Sequence, residues 1–94
     1  MEFEWDRGKE AANRQKHGVA FDEALTVFAD PLARIFDDPG HLAQEKREII
    51  IGHSARQRLL LVCFTERDDK VRIISARVAT RRERKEYEEN SPKR

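Results

Sequence analysis

The sequence has a single cysteine, Cys63, and it lies inside an apolar run. An internal disulfide is therefore excluded, and we expect a reducing compartment and a buried structural thiol. No run of about 18 apolar residues occurs, and Met1 is followed by the charged Glu2, so we predict neither a membrane span nor a signal peptide. These features lead us to expect a cytoplasmic protein.

The sequence also lacks the motifs that mark common metal and cofactor sites. His17, His41 and His53 have no ligand spacing, and no CxxC or HExxH pair occurs. A phosphate-binding Walker loop, a dinucleotide fingerprint and a GxSxG elbow are absent as well. We therefore expect no metal and no cofactor, and an enzyme of this sequence would work with side chains alone.

The length and the charge distribution bound the remaining possibilities. Ninety-four residues leave room for one hydrophobic core, so we expect a single domain over residues 1–94. The net charge of +1 hides an asymmetry, because residues 1–55 carry 7 Lys/Arg and 11 Asp/Glu while residues 56–94 carry 12 and 7. A basic second half is typical of phosphate binding. A solvated charged face is the alternative.

Capping and breaking residues predict two helices in the first third of the chain. Asp6 is a suitable N-cap for a polar helix that runs to about His17, where the following glycine supplies a left-handed end. A second helix is predicted to start after Phe21 with Asp22 as its cap. It must stop before Pro31, because the residue before a proline avoids the helical region.

From there the apolar period changes from that of a helix to that of a strand. Short turns between the apolar runs predict antiparallel neighbours, and the unbroken run at 59–64 predicts a central strand. A capping box formed by Thr80 and Glu83 predicts a last helix from Arg81 to Asn90. We expect an α+β fold with two N-terminal helices, a four-stranded antiparallel sheet and a C-terminal helix. The predicted strands span residues 33–37, 47–53, 58–66 and 71–78.

Three arginines near the start of the last helix indicate an anion site. Arg77 ends the last predicted strand, and Arg81 and Arg82 occupy the first helical turn, where the helix dipole is already positive. With the exposed N–H groups of the helix start, these cations would bind a phosphate. The alternative is that Arg77 pairs with a carboxylate such as Glu83.

Single residues elsewhere could contribute chemistry. His17 ends the first helix beside Lys16, a setting that favours the protonated ring and suits a general acid or a phosphate contact. The alternative is a capping or surface histidine. Tyr87 and Trp5 are the only residues of their types, and each could stack on a nucleic-acid base or belong to the core. For Trp5 the core is favoured.

Two stretches together resemble the BrnT toxin family over about residues 3–89. The first comprises KHGVAFDEA at 16–24, Asp30-Pro31, Glu45-Lys46-Arg47 and Gly52. The second comprises Arg58-Leu59, RIISAR at 72–77, Ala79-Thr80, Glu83-Arg84 and Tyr87. The resemblance implies a RelE-like fold, a ribonuclease activity that shuts down translation, and a BrnA-type antitoxin with a ribbon-helix-helix DNA-binding domain. Val78 and Phe64 depart from the family pattern, which often has a basic residue and a tyrosine there.

The mechanism expected of such a ribonuclease is attack of an RNA 2′-hydroxyl on the neighbouring phosphate. This reaction needs a base, cations that stabilise the developing negative charge and an acid for the leaving oxygen. His17 is predicted to transfer protons, with Glu48 as an alternative base. The predicted catalytic set is His17, Arg77, Arg81 and Tyr87, and the predicted RNA contacts are Lys16, Arg47, Arg67 and Arg82. The competing interpretation is a non-catalytic module that docks an acidic protein or a nucleic acid.

Overall fold

The computed structural model describes residues 1–38 and 46–90, so His41 and most of the chain between the predicted strands 33–37 and 47–53 lie outside it. The described strands form one sheet in the order β1-β5-β4-β3-β2. None of the described helices is long and apolar enough to span a bilayer. The elements in chain order are β1 (Glu2–Glu4), α1 (Arg7–His17), α2 (Phe21–Ala24), a 3₁₀ segment (Leu25–Ala29), β2 (Arg34–Asp37), β3 (Glu48–His53), β4 (Leu59–Arg67), β5 (Lys70–Val78) and α3 (Arg81–Asn90).

The first helix has the predicted caps at both ends. The Asp6 carboxylate accepts the N–H of Lys9 at 2.9 Å, and the N–H of Gly18 donates to the carbonyl of Arg14 at 2.8 Å. Gly18 has a φ of 69°, in the region that favours glycine. The helix therefore ends at His17, as predicted, and the chain turns sharply after it.

The second helix begins earlier than predicted and lacks the predicted cap. It starts at Phe21 itself, with Ala20 as an N-cap that makes no side-chain hydrogen bond, so the assignment of Asp22 as the cap is wrong. A carboxylate of the first helix takes the capping role, because Glu10 accepts the N–H of Phe21 at 3.3 Å. The α-helix lasts one turn and continues as the 3₁₀ segment, which ends before Pro31.

The sheet has one strand more than predicted. Strands β2 to β5 pair antiparallel with their chain neighbours, and the apolar β4 lies at the centre, as expected. Strand β1 pairs parallel with β5, so the sheet is five-stranded and mixed rather than four-stranded and antiparallel. Strand β1 has only three residues, which is too short to show the alternating apolar pattern of a strand. Its partner β5 lies far along the chain, so the sequence does not predict this pairing. Ion pairs of Glu4 with Arg72 at 3.3 Å and Glu2 with Lys70 at 3.9 Å support it.

The two faces of the sheet are covered differently. One face packs against α2 and the 3₁₀ segment through the main core, in which Phe21, Leu60 and Phe64 are fully buried. On the other face, Tyr87 of α3 packs on a smaller cluster formed with Ile51, Leu59 and Leu61. Since α3 covers only part of this second face, a concave surface remains beside the helix.

Candidate active site

A cleft of about 330 Å³ lies on the second face of the sheet, beside the start of α3. Its floor is formed by neighbouring strands, since Cys63 pairs with Ile49 on one side and with Ser75 on the other. Polar side chains from α1, the end of β2, the residue before β3 and the end of β5 surround this floor. The lining residues are His17, Asp38, Arg47, Ile49, Leu61, Cys63, Ile74, Ser75, Ala76 and Arg77.

Arg77 reaches the cleft from β5 and is held by a carboxylate of α3. Its two terminal nitrogens donate to the two oxygens of Glu83 at 2.7 and 2.9 Å. The hydrogen bonds from Arg77 hold the pKa of Glu83 well below its ordinary value, at about 2, and Glu83 in turn raises the pKa of Arg77. The alternative that Arg77 pairs with Glu83 is therefore confirmed. The Arg77 side chain remains 40% exposed and lines the cleft.

The start of α3 has the predicted capping box. The hydroxyl of Thr80 accepts the N–H of Glu83 at 3.1 Å, and the Glu83 carboxylate accepts the N–H of Thr80 at 2.8 Å. Arg81 and Arg82 are exposed and do not line the cleft, and Arg82 lies 3.5 Å from Glu86 on its own helix. The first-turn arginines therefore do not join Arg77 in lining the cleft.

Arg47 supplies a second cation to the cleft. Its Nε is buried and has no hydrogen-bond partner within the described parts of the chain. Its carbonyl accepts the N–H of Asp38 at 3.1 Å, which ties the end of β2 to the start of β3. A buried guanidinium nitrogen without a partner carries a desolvation cost, and an incoming anion would remove that cost.

Cys63 lies at the bottom of the cleft as a neutral thiol. Burial raises its pKa to about 11, and the Asp38 carboxylate, 3.8 Å from the sulfur, contributes to the rise. The expected structural role agrees with this environment, although the side chain is half-buried rather than fully enclosed. Cys63, Asp38 and Ser75 are cleft residues that the sequence interpretation missed.

His17 is placed in the cleft by contacts that hold the end of α1 against β5. The side-chain amide of Asn13 donates to the carbonyl of Ala76 at 2.8 Å and accepts the N–H of Ala76 at 3.0 Å, as a neighbouring strand would. The same amide donates to the carbonyl of Val19 at 2.9 Å. Arg58 adds a bond of 3.1 Å to the carbonyl of Gly18. These contacts place the end of α1 at the rim of the cleft, where the half-buried His17 is one of the lining residues.

Comparison with known proteins identifies the family and supports the fold. A family model described as "Ribonuclease toxin, BrnT, of type II toxin-antitoxin system" matches residues 5–83. The chain belongs to the BrnT family. The crystal structure of the Brucella abortus ribonuclease toxin BrnT superposes with a TM-score of 0.67 at 24% identity, covering 86% of this chain and 99% of that one, which supports the fold. No curated protein matches the chain.

Several residues of the BrnT motif have structural rather than catalytic surroundings. A Cβ on Gly52 would lie 2.8 Å from the Cβ of Ala33, so only glycine allows this close approach. Glu23 is 7% exposed and accepts hydrogen bonds from Ser54 at 2.7 Å and from Arg58 at 2.9 Å. The family pattern in this chain therefore includes an ion pair between the buried Glu23 of α2 and Arg58, the residue before β4.

The remaining predicted site residues lie outside the cleft. Tyr87 is 5% exposed, its hydroxyl donates to the carbonyl of Leu32 at 3.1 Å, and the Arg34 guanidinium lies 4.8 Å from its ring centre. Its ring has no open face for a base in this conformation. Lys16 is exposed next to His17, and Arg67 lies at the far end of β4. Glu48 pairs with Phe64 of the main core, on the opposite face of the sheet.

Trp5 belongs to the core, as favoured from the sequence. Its ring makes an edge-to-face contact with Phe21, with 6.0 Å between the ring centres. It packs against the main core as a partly buried residue. Neither tryptophan nor tyrosine therefore contributes to the cleft.

Proposed function

We propose that this BrnT-family protein is a metal-independent endoribonuclease whose active site is the cleft on the second face of the sheet. The observation that carries the proposal is the convergence of His17, Arg47 and Arg77 in one cavity from three distant segments. Two guanidinium groups can stabilise the negative charge on a reacting RNA phosphate, and an imidazole can transfer a proton.

In the proposed reaction, the 2′-oxygen of one nucleotide attacks its own 3′-phosphate. The new bond joins the 2′-oxygen to phosphorus, and the bond from phosphorus to the 5′-oxygen of the next nucleotide breaks. The 2′-hydroxyl gives its proton to a base, and the leaving 5′-oxygen receives one from an acid. The products are a 2′,3′-cyclic phosphate and a 5′-hydroxyl, so no oxidant or second substrate is needed.

The cleft residues divide this work. Arg47 and Arg77 bind the phosphate and stabilise the charge that grows on its oxygens. His17 transfers a proton, and Asp38 is the carboxylate of the cleft that can serve as its counterpart. Asp38 replaces Glu48 in this role, because Glu48 lies on the opposite face. The two arginines supply the positive charge that a metal ion provides in other nucleases, which supports a metal-independent reaction.

The exposed basic residues are proposed to bind the RNA on either side of the cleft. Lys16 lies beside His17, while Arg81 and Arg82 lie on the outer side of α3. Contacts of this kind act on phosphates and carry no base information. Arg67 is a more distant phosphate contact, at the end of β4. We assign Tyr87 the role of anchoring α3 rather than stacking on a base.

The partner in this proposal is a BrnA-type antitoxin with a ribbon-helix-helix domain. Membership of a type II toxin-antitoxin family implies an antitoxin and an RNA target. We propose that the target is cytoplasmic RNA whose cleavage stops translation, and that the antitoxin silences the toxin by covering the basic side of the cleft with an acidic surface.

The test is cleavage of an end-labelled RNA by the purified protein, followed by analysis of the product ends. We expect 2′,3′-cyclic phosphate ends, activity in EDTA, and no cleavage of an otherwise identical 2′-deoxy strand. His17→Gln and Arg77→Ala should lose at least about 100-fold in rate, while Arg7→Ala on the exposed side of α1 should not. RNA binding without any cleavage by the wild type would instead favour the non-catalytic docking module.

A further inference from the structure

A second cavity lies directly beside the proposed active site, between α3 and the sheet. It has a volume of about 270 Å³, below the usual size of a site for a drug-sized ligand. Its floor is apolar and its rim is polar. The lining side chains of the floor are Phe36, Ile51, Leu61 and Tyr87, and the polar lining residues are Arg34, Glu83, Glu86 and Asn90. We call this space the base cavity.

The base cavity and the active-site cleft share walls. Leu61 lines both spaces, and the ion pair between Arg77 and Glu83 separates them, because Arg77 faces the cleft and Glu83 faces the base cavity. Leu61 and Cys63 are two residues apart on β4, which places the two floors about 7 Å apart along the strand. A phosphate held at Arg77 would therefore bring the base of an adjoining nucleotide to the base cavity.

The floor offers a surface for the flat face of a base. Phe36 is 44% exposed, an unusual fraction for a phenylalanine on a sheet, while Ile51 and Leu61 are each 9% exposed. Single-stranded RNA is commonly bound by stacking unpaired bases on aromatic side chains. Phe36 can serve as such a side chain, because its ring borders the cavity rather than the core.

The rim carries the carboxylates of Glu83 and Glu86 as hydrogen-bond acceptors, while the Arg34 guanidinium beside them already donates to the carbonyl of Tyr87 at 2.7 Å. The Glu86 side chain is 65% exposed, and the only ion pair described for it is the long contact of 3.5 Å with Arg82. Asn90 donates its amide N–H to the backbone carbonyl of Glu86 at 2.8 Å, which holds the Asn90 side chain against its own helix at the rim of the cavity. Among the RNA bases, guanine alone presents two adjacent donors, N1–H and the N2 amine, to a single carboxylate.

We propose that the base cavity binds a guanine base next to the cleaved phosphate, with Phe36 against its face and the Glu86 carboxylate accepting from N1–H and the N2 amine. This inference rests on the proposed ribonuclease function and adds a base preference to it. Adenine has an unprotonated N1 at this edge, so it would meet the carboxylate with repulsion. Inosine retains N1–H and lacks the N2 amine, so it isolates one of the two hydrogen bonds.

The experiment uses three short oligouridine substrates that carry one central guanosine, inosine or adenosine, with cleavage measured on either side of that position. For the wild type we expect kcat/KM to be about tenfold higher with the guanosine substrate than with the inosine substrate. The ratio of guanosine to adenosine should be larger still. In Glu86→Gln the ratio of guanosine to inosine should fall to within about twofold. Glu88→Gln, on the opposite side of the same helix, should keep the wild-type ratio.

Binding of the corresponding 2′-deoxy strands, measured by fluorescence anisotropy, separates the two proposals. If no substrate is cleaved, the ribonuclease proposal fails, and a guanosine preference in binding that Glu86→Gln removes still supports the base cavity. If RNA is cleaved and the three substrates react within about twofold of one another, the base cavity proposal is wrong. The base cavity proposal is also wrong if Glu86→Gln keeps the wild-type ratio of kcat/KM for guanosine to that for inosine.

Discussion

The guanidinium of Arg77 and the carboxylate of Glu83 form a two-point ion pair that joins the end of β5 to the first turn of α3. The same carboxylate caps the helix through the N–H of Thr80. One side chain thus positions a proposed catalytic cation and starts the helix that borders the cleft. In the free protein, Glu83 spares Arg77 the cost of being a partly buried cation without an anion. A phosphate that enters the cleft then has to share Arg77 with Glu83.

This ion pair should make the stability of the protein depend on acidic pH. The folded-state pKa of Glu83 is about 2, against an ordinary value of 4.5, so its contribution is complete above about pH 4.5 and is lost as the pH falls towards 2. We expect the wild type to lose more free energy of unfolding than Glu83→Gln does over this interval, as measured by urea unfolding at several pH values. Parallel curves for the two proteins would contradict the ion pair.

Thr80→Ala should lower the free energy of unfolding by about 0.5–2 kcal/mol, because the Glu83 N–H loses its capping acceptor. Thr80→Ser retains the hydroxyl and serves as the control. Thermal unfolding of the two variants provides the comparison. Equal melting of Thr80→Ala and the wild type would show that this hydroxyl does not cap α3.

Signals within a few residues of one another were sufficient to predict the ends of the helices. Asp6 and Gly18 bound α1, and Thr80 with Glu83 begins α3, since a cap needs only the chain that follows or precedes it. The cap of α2 could not be found in this way. Its acceptor, Glu10, lies eleven residues before Phe21 in the sequence and reaches it only after α1 has packed.

The residues of the proposed active site are predictable one by one from the sequence, whereas their grouping is less so. His17, Arg47 and Arg77 were proposed from their local settings and from the family resemblance, and the fold brings them together. Arg81 was grouped with Arg77 because the two are close in the chain, yet the helix turns Arg81 to solvent. Asp38 gave no signal beyond that of a turn, because its place in the cleft depends on pairing between β2 and β3.

Cys63 should react slowly with alkylating reagents in the folded protein. A thiol with a pKa of about 11 has about 100-fold less thiolate near pH 8 than an ordinary one, and the greater nucleophilicity of a basic thiolate recovers about tenfold of this. We therefore expect alkylation at least about tenfold slower than in urea-unfolded protein, with the rate followed by mass spectrometry. Equal rates in the two states would contradict the buried, neutral thiol.

Replacing both Arg77 and Arg81 by alanine should abolish toxicity and weaken antitoxin binding, because the proposed RNA site and antitoxin site share these cations. A growth assay and calorimetry with the purified antitoxin measure the two effects. Arg7→Ala, on the first helix, should change neither. A double variant that is harmless yet binds antitoxin as tightly as the wild type would rule out occlusion of the cleft through this basic surface.

The buried ion pair of Glu23 offers a matched comparison between two arginines that contact the same carboxylate. Arg58 donates to both oxygens of Glu23 and its side chain is 31% exposed, whereas Arg56 lies at 3.6 Å and is 72% exposed. Hydrogen bonds from Arg58 lower the pKa of Glu23 despite its burial. The two arginines therefore differ in desolvation and geometry while sharing one partner.

Arg58→Ala should lower the free energy of unfolding by about 2–4 kcal/mol, because a buried carboxylate loses its principal partner. Arg56→Ala should cost less than about 1 kcal/mol, as is usual for an exposed pair.

Arg58 also binds the carbonyl of Gly18 at 3.1 Å, next to His17. Arg58→Lys, which keeps the charge and loses the planar fork, should therefore lower kcat through a displaced His17 even at temperatures where the variant is fully folded. Unfolding curves and RNA cleavage rates measured on the same samples test both effects. Equal losses of stability in Arg56→Ala and Arg58→Ala would show that burial of the pair contributes nothing, and a folded Arg58→Lys with wild-type kcat would show that the Gly18 contact does not position His17.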